Sequence, residues 1–306
     1  MTAWSIQSFI AMHEAGTNPK DPRGDIDFAS LCARYPEFAD IGVEDGHVSG
    51  PHGEIPVRTY RPAVPSSSGL LWVHGGGFIG GDLDMPEANW TSLALAACGI
   101  TVVSVDYRKA LHGVTYPIPS DDILAAWKWA SDELRAGGID RLHLGGASAG
   151  GNLAAGVAKR LRDDNSALPA SVLLIYPTLH FDLLPPSAEG ASALARLNPV
   201  ARFPADDMHA MNMQFIGRST LRNDQYAFAG NGDVSGLPPI LVVASEADDL
   251  RSSGEEFVRQ VVAVGGTACL EVEPNSTHGH LDQPYEPQGA RTIAKMVDWL
   301  AARPSA

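Results

Sequence analysis

From about residue 69 to the end of the chain, short apolar runs alternate with longer amphipathic stretches. The runs at 70–73, 100–105, 141–144, 171–176, 240–244 and 267–272 read as strands. Helical periodicity fits 86–98, 120–136, 152–162, 254–264 and 287–302. Largely apolar strands separated by amphipathic helices predict a parallel sheet covered on both faces. Two further strands, near 43–49 and 54–60, alternate polar and apolar positions and read as an antiparallel edge hairpin. The expected total is about eight strands.

Two regions depart from this rhythm. Before residue 42 the chain is helical and irregular, with Ile6, Phe9, Ile10 and His13 at helical spacing. That helix carries no basic face, so packing on its own protein is a better expectation than lying on a membrane. The second region runs from His180 to Gly236. There Leu183-Leu184-Pro185-Pro186 leads into helical patterns at 191–197 and 208–216, with Met208, Met211, Asn212 and Phe215 on one face. An insertion of this length after a strand is where α/β folds place lids and pocket walls. The expected organisation is one domain over 1–306, with a cap from about 1–42 and 180–236. A satellite core would show the same apolar pattern.

Composition narrows the classes. With 306 residues and 44% hydrophobic content, the chain can bury a large core. A formal net charge of -14 argues against nucleic acid and against anionic membranes as partners. No Lys or Arg precedes Lys20, and no run approaches the ~18 apolar residues of a membrane span, so the expectation is a cytoplasmic protein. Cys32, Cys98 and Cys269 lack metal-type spacing, which fits reduced thiols, and Cys98 and Cys269 lie in apolar stretches that suggest core positions.

The chemistry is carried by two motifs at strand ends. Gly146-Ala147-Ser148-Ala149-Gly150 follows Leu142-His143-Leu144, and His74-Gly75-Gly76-Gly77-Phe78 follows Leu70-Leu71-Trp72-Val73. G-x-S-x-G alone could be a phosphate loop or a tight turn. A strand–turn–helix context makes it a nucleophile elbow, and a Gly-rich loop in this order supplies backbone N–H groups for an oxyanion. A serine needs a base, and the base needs an orienting acid. Ser245-Glu246-Ala247-Asp248-Asp249 follows the seventh strand, and His278-Gly279-His280 follows the eighth. The residues point to His278 as base and Asp248 as acid. Asp249 and Glu246 stay open as rival acids, and His280 as a rival base. A metal cluster of His278, His280 and Asp282 is the weaker reading, for want of a further ligand nearby.

These four stretches together resemble the hormone-sensitive-lipase group of α/β-hydrolase esterases over roughly residues 50–302. His74-Gly75-Gly76-Gly77-Phe78 resembles its oxyanion signature, implying donors at Gly76, Gly77 and Ala149. Gly146-Ala147-Ser148-Ala149-Gly150-Gly151 resembles its nucleophile motif, with Ala147 where Asp is frequent. Asp248-Asp249-Leu250-Arg251 resembles its Asp-Pro-Leu motif and favours Asp248, and His278-Gly279-His280 resembles His-Gly-Phe and favours His278. After Val105-Asp106-Tyr107-Arg108 the chain departs from the group, with Lys109-Ala110-Leu111-His112-Gly113-Val114 in place of Leu-Ala-Pro-Glu-His. The resemblance implies an α/β-hydrolase fold, hydrolysis of carboxylic esters through an acyl-enzyme, a small-molecule ester as partner, and no metal or organic cofactor. His74, Phe78, Met211 and Phe215 are the expected substrate contacts, with Trp4, Phe9 and Ile216 adding apolar surface for short-chain or small aromatic acyl groups. An arylformamidase-like amide hydrolase and, more distantly, a non-catalytic receptor are the other readings. A homodimer through an edge strand or the last helix is common in such folds.

Overall fold

The computed structural model describes residues 6–15 and 27–302. The central element is an eight-stranded sheet: β1 (Gly42–Gly50), β2 (Gly53–Arg61), β3 (Ser68–Val73), β4 (Thr101–Val105), β5 (Arg141–Ala147), β6 (Val172–Ile175), β7 (Ile240–Ala247) and β8 (Ala268–Thr277). Its order is β1-β2-β4-β3-β5-β6-β7-β8. β1 and β2 form an antiparallel hairpin at one edge, β2 pairs antiparallel with β4, and the remaining pairs are parallel. The eight-stranded, mostly parallel α/β-hydrolase architecture is the expected one.

Between the strands run α3 (Pro86–Ala97), α4 (Ile118–Ala136), α5 (Ala149–Asp163), α8 (Arg251–Ala263) and α9 (Pro287–Ala301). The strand period of two sends neighbouring side chains to opposite faces. In β3, Leu71 and Val73 join a core with Trp127 of α4, Leu153 of α5 and Phe257 of α8. Leu70 and Trp72 join a second core with Trp90 of α3, Met296 and Leu300 of α9, and Leu31 of α2 (Phe28–Arg34). Each central strand is therefore buried on both sides, which is why its sequence is apolar almost throughout.

The stretch between β6 and β7 carries α6 (Ala188–Leu194) and α7 (Ala205–Ile216). The amphipathic α1 (Ile6–Glu14) lies against α7: Ile6, Phe9 and Ile10 are half-buried on the larger core, and the Ile6 N–H donates to Asp207 Oδ1 at 3.3 Å. Trp4 and the side chain of His13 lie outside the described residues.

Several boundaries differ from those the sequence suggests. α5 begins at Ala149 rather than near 152, because tertiary contacts hold the helix-poor Gly150 and Gly151 in its first turn. β5 and β8 run on to Ala147 and Thr277, delivering the motifs that follow them to one edge of the sheet. Cys98 is not a core residue: it caps the C-terminus of α3 and is exposed, and Cys269 is half-buried. No helix among the described residues is long and apolar enough to cross a membrane.

Candidate active site

Ser148 occupies the handover from β5 to α5 with φ 52° and ψ -117°, a conformation costly for any residue with a Cβ. Its surroundings enforce that turn. The Ser148 N–H donates to Ile175 O at 2.9 Å, and its carbonyl accepts from Asn152 N–H at 3.2 Å. Chain crossings on either side leave no room for side chains. A Cβ on Gly150 would lie 2.1 Å from Val73 O, and one on Gly146 would lie 2.5 Å from the same carbonyl. The two glycines thus let α5 press against the end of β3, with the serine hydroxyl left at the carboxyl edge of the sheet.

The loop after β3 passes beside that hydroxyl. A Cβ on Gly75 would lie 3.4 Å from Ser148 Cβ. Gly76 and Gly77 have φ of 102° and 62°, and a Cβ on Gly76 would strike Gly80 O at 2.2 Å. Among the described residues, the loop and cap hydrogen bonds use the N–H of none of Gly76, Gly77 and Ala149. Ala149 also opens α5, where unpaired N–H groups and the helix dipole favour negative charge.

His278 and Asp248 complete a hydrogen-bonded chain. The Ser148 hydroxyl lies 2.9 Å from His278 Nε2, and His278 Nδ1 lies 2.8 Å from Asp248 Oδ2. The second oxygen of Asp248 accepts the Leu250 N–H at 2.9 Å, so the buried carboxylate is held on both sides. The ring of His278 packs edge-on against Tyr176 and Phe203 at 4.9 and 4.8 Å between centroids. That packing fixes the imidazole between its two polar partners.

The rival side chains point elsewhere. Asp249 accepts from Arg202 through both carboxylate oxygens, as close as 2.6 Å, and from the Phe203 N–H at 2.8 Å. It anchors the chain before α7 and is not a helix cap; α8 has Leu250 as its N-cap. Glu246 accepts from Arg196 and the Asn275 N–H. His280 lies buried behind His278, with Nδ1 3.0 Å from Ser245 Oγ and Nε2 2.8 Å from Thr292 Oγ1. Burial, reinforced by His278, pulls its pKa down to about 3, so it stays neutral. The nitrogens of His278 and His280 are directed at different partners, and the described residues contain no group of three or more His, Cys, Asp or Glu suited to a metal ion.

The expected substrate contacts separate into two sets. Met211 of α7 reaches the glycine loop, with its sulfur 2.6 Å from where a Gly77 Cβ would stand. His74, Phe78 and Phe215 are fully buried. Phe78 and Phe215 stack at 3.9 Å between centroids, and both nitrogens of His74 face protein groups. These three side chains pack beneath the loop instead of presenting surface to a ligand.

Sequence reasoning missed the buried Glu87 on α3. Its two oxygens accept the Trp72 indole N–H at 2.8 Å and the Gly75 N–H at 2.7 Å, so it tethers the glycine loop from behind. A single charged residue in α3 was the available signal. Phe203 and Tyr176, which hold the imidazole, carried no motif at all.

Comparison with known proteins agrees with the fold. A family model of the alpha/beta hydrolase fold matches residues 70–282, from β3 through the histidine loop. Esterase LipI of Mycobacterium tuberculosis is 33% identical over 257 residues, covering 81% of this chain and 78% of its own. The chain belongs to the hormone-sensitive-lipase group of α/β-hydrolases. Within reach of that group lies the ethyl acetate hydrolase of Pseudomonas putida, 32% identical over 78% of this chain and 73% of its own. The solved esterase of Pyrobaculum calidifontis superposes with a TM-score of 0.77 at 26% identity, covering 98% of this chain and 94% of its own. The span matched by the family model contains Ser148, Asp248 and His278.

Proposed function

We propose that this chain, a carboxylic ester hydrolase by family, acts through Ser148 as nucleophile on small esters. The observation that carries the reading is the hydrogen-bonded chain Ser148–His278–Asp248 beside a glycine loop with unused N–H groups. His278 takes the hydroxyl proton as Oγ attacks the ester carbonyl. Asp248 keeps the ring's other proton on Nδ1 and stabilises the imidazolium. The N–H groups of Gly76, Gly77 and Ala149 receive the oxyanion, each worth roughly 3–4 kcal/mol in the transition state. His278 returns the proton to the leaving alcohol, then activates the water that releases the acid.

Acyl preference is proposed to be short. Met211 crowds Gly77, and Phe203 covers one side of His278, so the walls nearest the serine are bulky and apolar. In this reading α1 and the α6–α7 insertion form the cap, and α7 carries the wall. The similarity to an enzyme named for ethyl acetate supports the same size class.

The test is hydrolysis of p-nitrophenyl esters from acetate to decanoate, with formanilide as the amide arm. Turnover should peak at short acyl chains, and Ser148→Ala should lower kcat/KM by on the order of 10⁴-fold or more without loss of fold. Serine-dependent turnover confined to formanilide would move the assignment to amide hydrolysis. Full ester turnover in Ser148→Ala would end the serine mechanism.

A further inference from the structure

Beneath the oxyanion loop lies a polar group that the hydrolytic steps leave unused: His74, Asp106, Tyr107 and Lys109. Lys109 is the first residue at which the chain departs from its group after Asp106-Tyr107-Arg108. Its ammonium lies 2.5 Å from Asp106 Oδ1, 2.6 Å from Tyr107 O and 3.2 Å from His74 Nε2. An ammonium has three donors and no acceptor. Three neighbours take those three donors, so His74 Nε2 must present its lone pair.

The ring proton then sits on Nδ1, which lies 2.8 Å from Gly75 O. The opposite tautomer would set a ring N–H against the ammonium and a nitrogen lone pair against the carbonyl. Complete burial lowers the His74 pKa, and the Lys109 charge lowers it further, so the doubly protonated ring is disfavoured too. Burial also lowers the Lys109 pKa, and Asp106 pulls it back towards its usual range. For Asp106 burial acts upward, yet His74 and Lys109 together bring it down to about 2. A carboxylate at 2.5 Å and a carbonyl at 2.6 Å from Lys109 Nζ favour the ammonium form beside an ionised Asp106 and a neutral imidazole, with Glu87 of α3, Asp82 of the loop and Asp122 of α4 as the other acidic groups around it.

Tyr107 reaches the same carbonyl: its hydroxyl proton is shared between Gly75 O at 3.1 Å and His74 O at 3.2 Å, and its ring stacks on His74 at 4.6 Å. Gly75 C=O and Gly76 N–H belong to one peptide unit. Hydrogen bonds accepted by a carbonyl polarise its peptide and strengthen the N–H as a donor. Glu87 holds the N–H of the preceding His74–Gly75 peptide, so the peptides on both sides of the Gly75 Cα are tied down.

We infer that Lys109 is a positioning residue for the oxyanion donor at Gly76. Its donor-only contact locks His74 as the Nδ1–H tautomer, which with Tyr107 orients and polarises the Gly75–Gly76 peptide. This rests on the oxyanion role proposed for Gly76.

Lys109→Met tests it. Without the ammonium, Asp106 is the one partner left at His74 Nε2 among the described residues, 3.4 Å away. In acid the ring is doubly protonated and still serves Gly75 O. As pH rises the ring keeps its remaining proton on Nε2, facing Asp106, and Gly75 O loses that donor. The variant should gain an alkaline limb in kcat, falling about tenfold there with KM within about twofold. Lys109→Arg, another donor-only cation, should restore the wild-type plateau. ¹⁵N-histidine NMR of the unaltered protein gives a second measurement, with His74→Gln for assignment: His74 should show a protonated Nδ1 and a bare Nε2 through neutral pH. A proton on Nε2 in that spectrum, or a Lys109→Met profile with wild-type kcat and no alkaline limb, overturns the inference. Turnover that survives Ser148→Ala would sink the serine reading, and with it the role of Gly76, while leaving the tautomer readable.

Discussion

The serine elbow and the α6–α7 insertion meet at the same site, yet different parts of the molecule hold them in place. At the elbow, backbone meets backbone: Gly150 faces Val73 O and His74 O, and Gly146 faces Val73 O. In the insertion, side chains do the holding. Arg202 grips Asp249, Asn212 Nδ2 donates to Phe181 O at 2.6 Å, and Phe215 stacks on Phe78. A backbone contact dictates one residue, whereas a side-chain contact accepts many that fit. The elbow therefore shows in sequence as a motif, and the insertion only as an amphipathic pattern.

The adjacent acids, Asp248 and Asp249, give the strongest way to break this comparison. One serves the histidine and the other ties down the insertion. Asp248→Asn keeps the size but places an amide where a carboxylate held the imidazole tautomer. It should lower kcat by about 10⁴-fold with little change in KM. Asp249→Asn still offers an amide oxygen to Arg202, and steady-state kinetics should show it within about threefold of wild type, since Asp249 faces Arg202 and the Phe203 N–H and does not touch Ser148 or His278. Equal losses in both variants would mean that the two acids share the orienting role.

That pair also shows where legibility ended. The succession of strands and helices along the chain, the Gly-x-Ser-x-Gly turn and the glycine loop were readable because each obeys a local rule of period or of sterics. Choosing between Asp248 and Asp249 was not a local matter: the two differ in the direction of their side chains after β7, which depends on where β8 delivers His278. Only the family resemblance favoured Asp248. Phe78 and Phe215 were recognisable as important apolar residues, but whether an aromatic faces a ligand or a neighbour depends on packing across the insertion. What Glu87 does was unreadable for the same reason, since a buried carboxylate is explained by donors that arrive from β3 and its loop.

A second pair of substitutions sharpens the contrast in stability. Gly150→Ala drives a Cβ to 2.1 Å from Val73 O and 2.4 Å from His74 O, both backbone atoms that cannot step aside. Overpacking of that kind should cost about 3 kcal/mol, read as a lower denaturant midpoint with an unchanged slope. Gly190 in α6 is also buried, but its Cβ would first meet the Ser187 hydroxyl at 3.3 Å. Gly190→Ala should stay within about 1 kcal/mol of wild type, because helix propensity offsets the crowding. A large loss at Gly190 would show that the insertion is as rigidly determined as the elbow.

The smallest effect belongs to the point where the two regions touch. Met211 is the residue by which α7 reaches Gly77, and methionine is a flexible, adaptable filler. Met211→Ala removes bulk from the proposed acyl wall without disturbing Ser148, His278 or Asp248. The expected outcome is a shift of preference towards longer acyl chains of about fivefold, in the range that one or two methylenes produce in an apolar pocket. Measured as the ratio of kcat/KM for hexanoate over acetate, this separates the regions: the elbow should set the rate for every ester, and the insertion should set which ester is preferred. If Met211→Ala instead lowers turnover equally for all chain lengths, Met211 supports the oxyanion loop, and the insertion takes part in catalysis as well as selection.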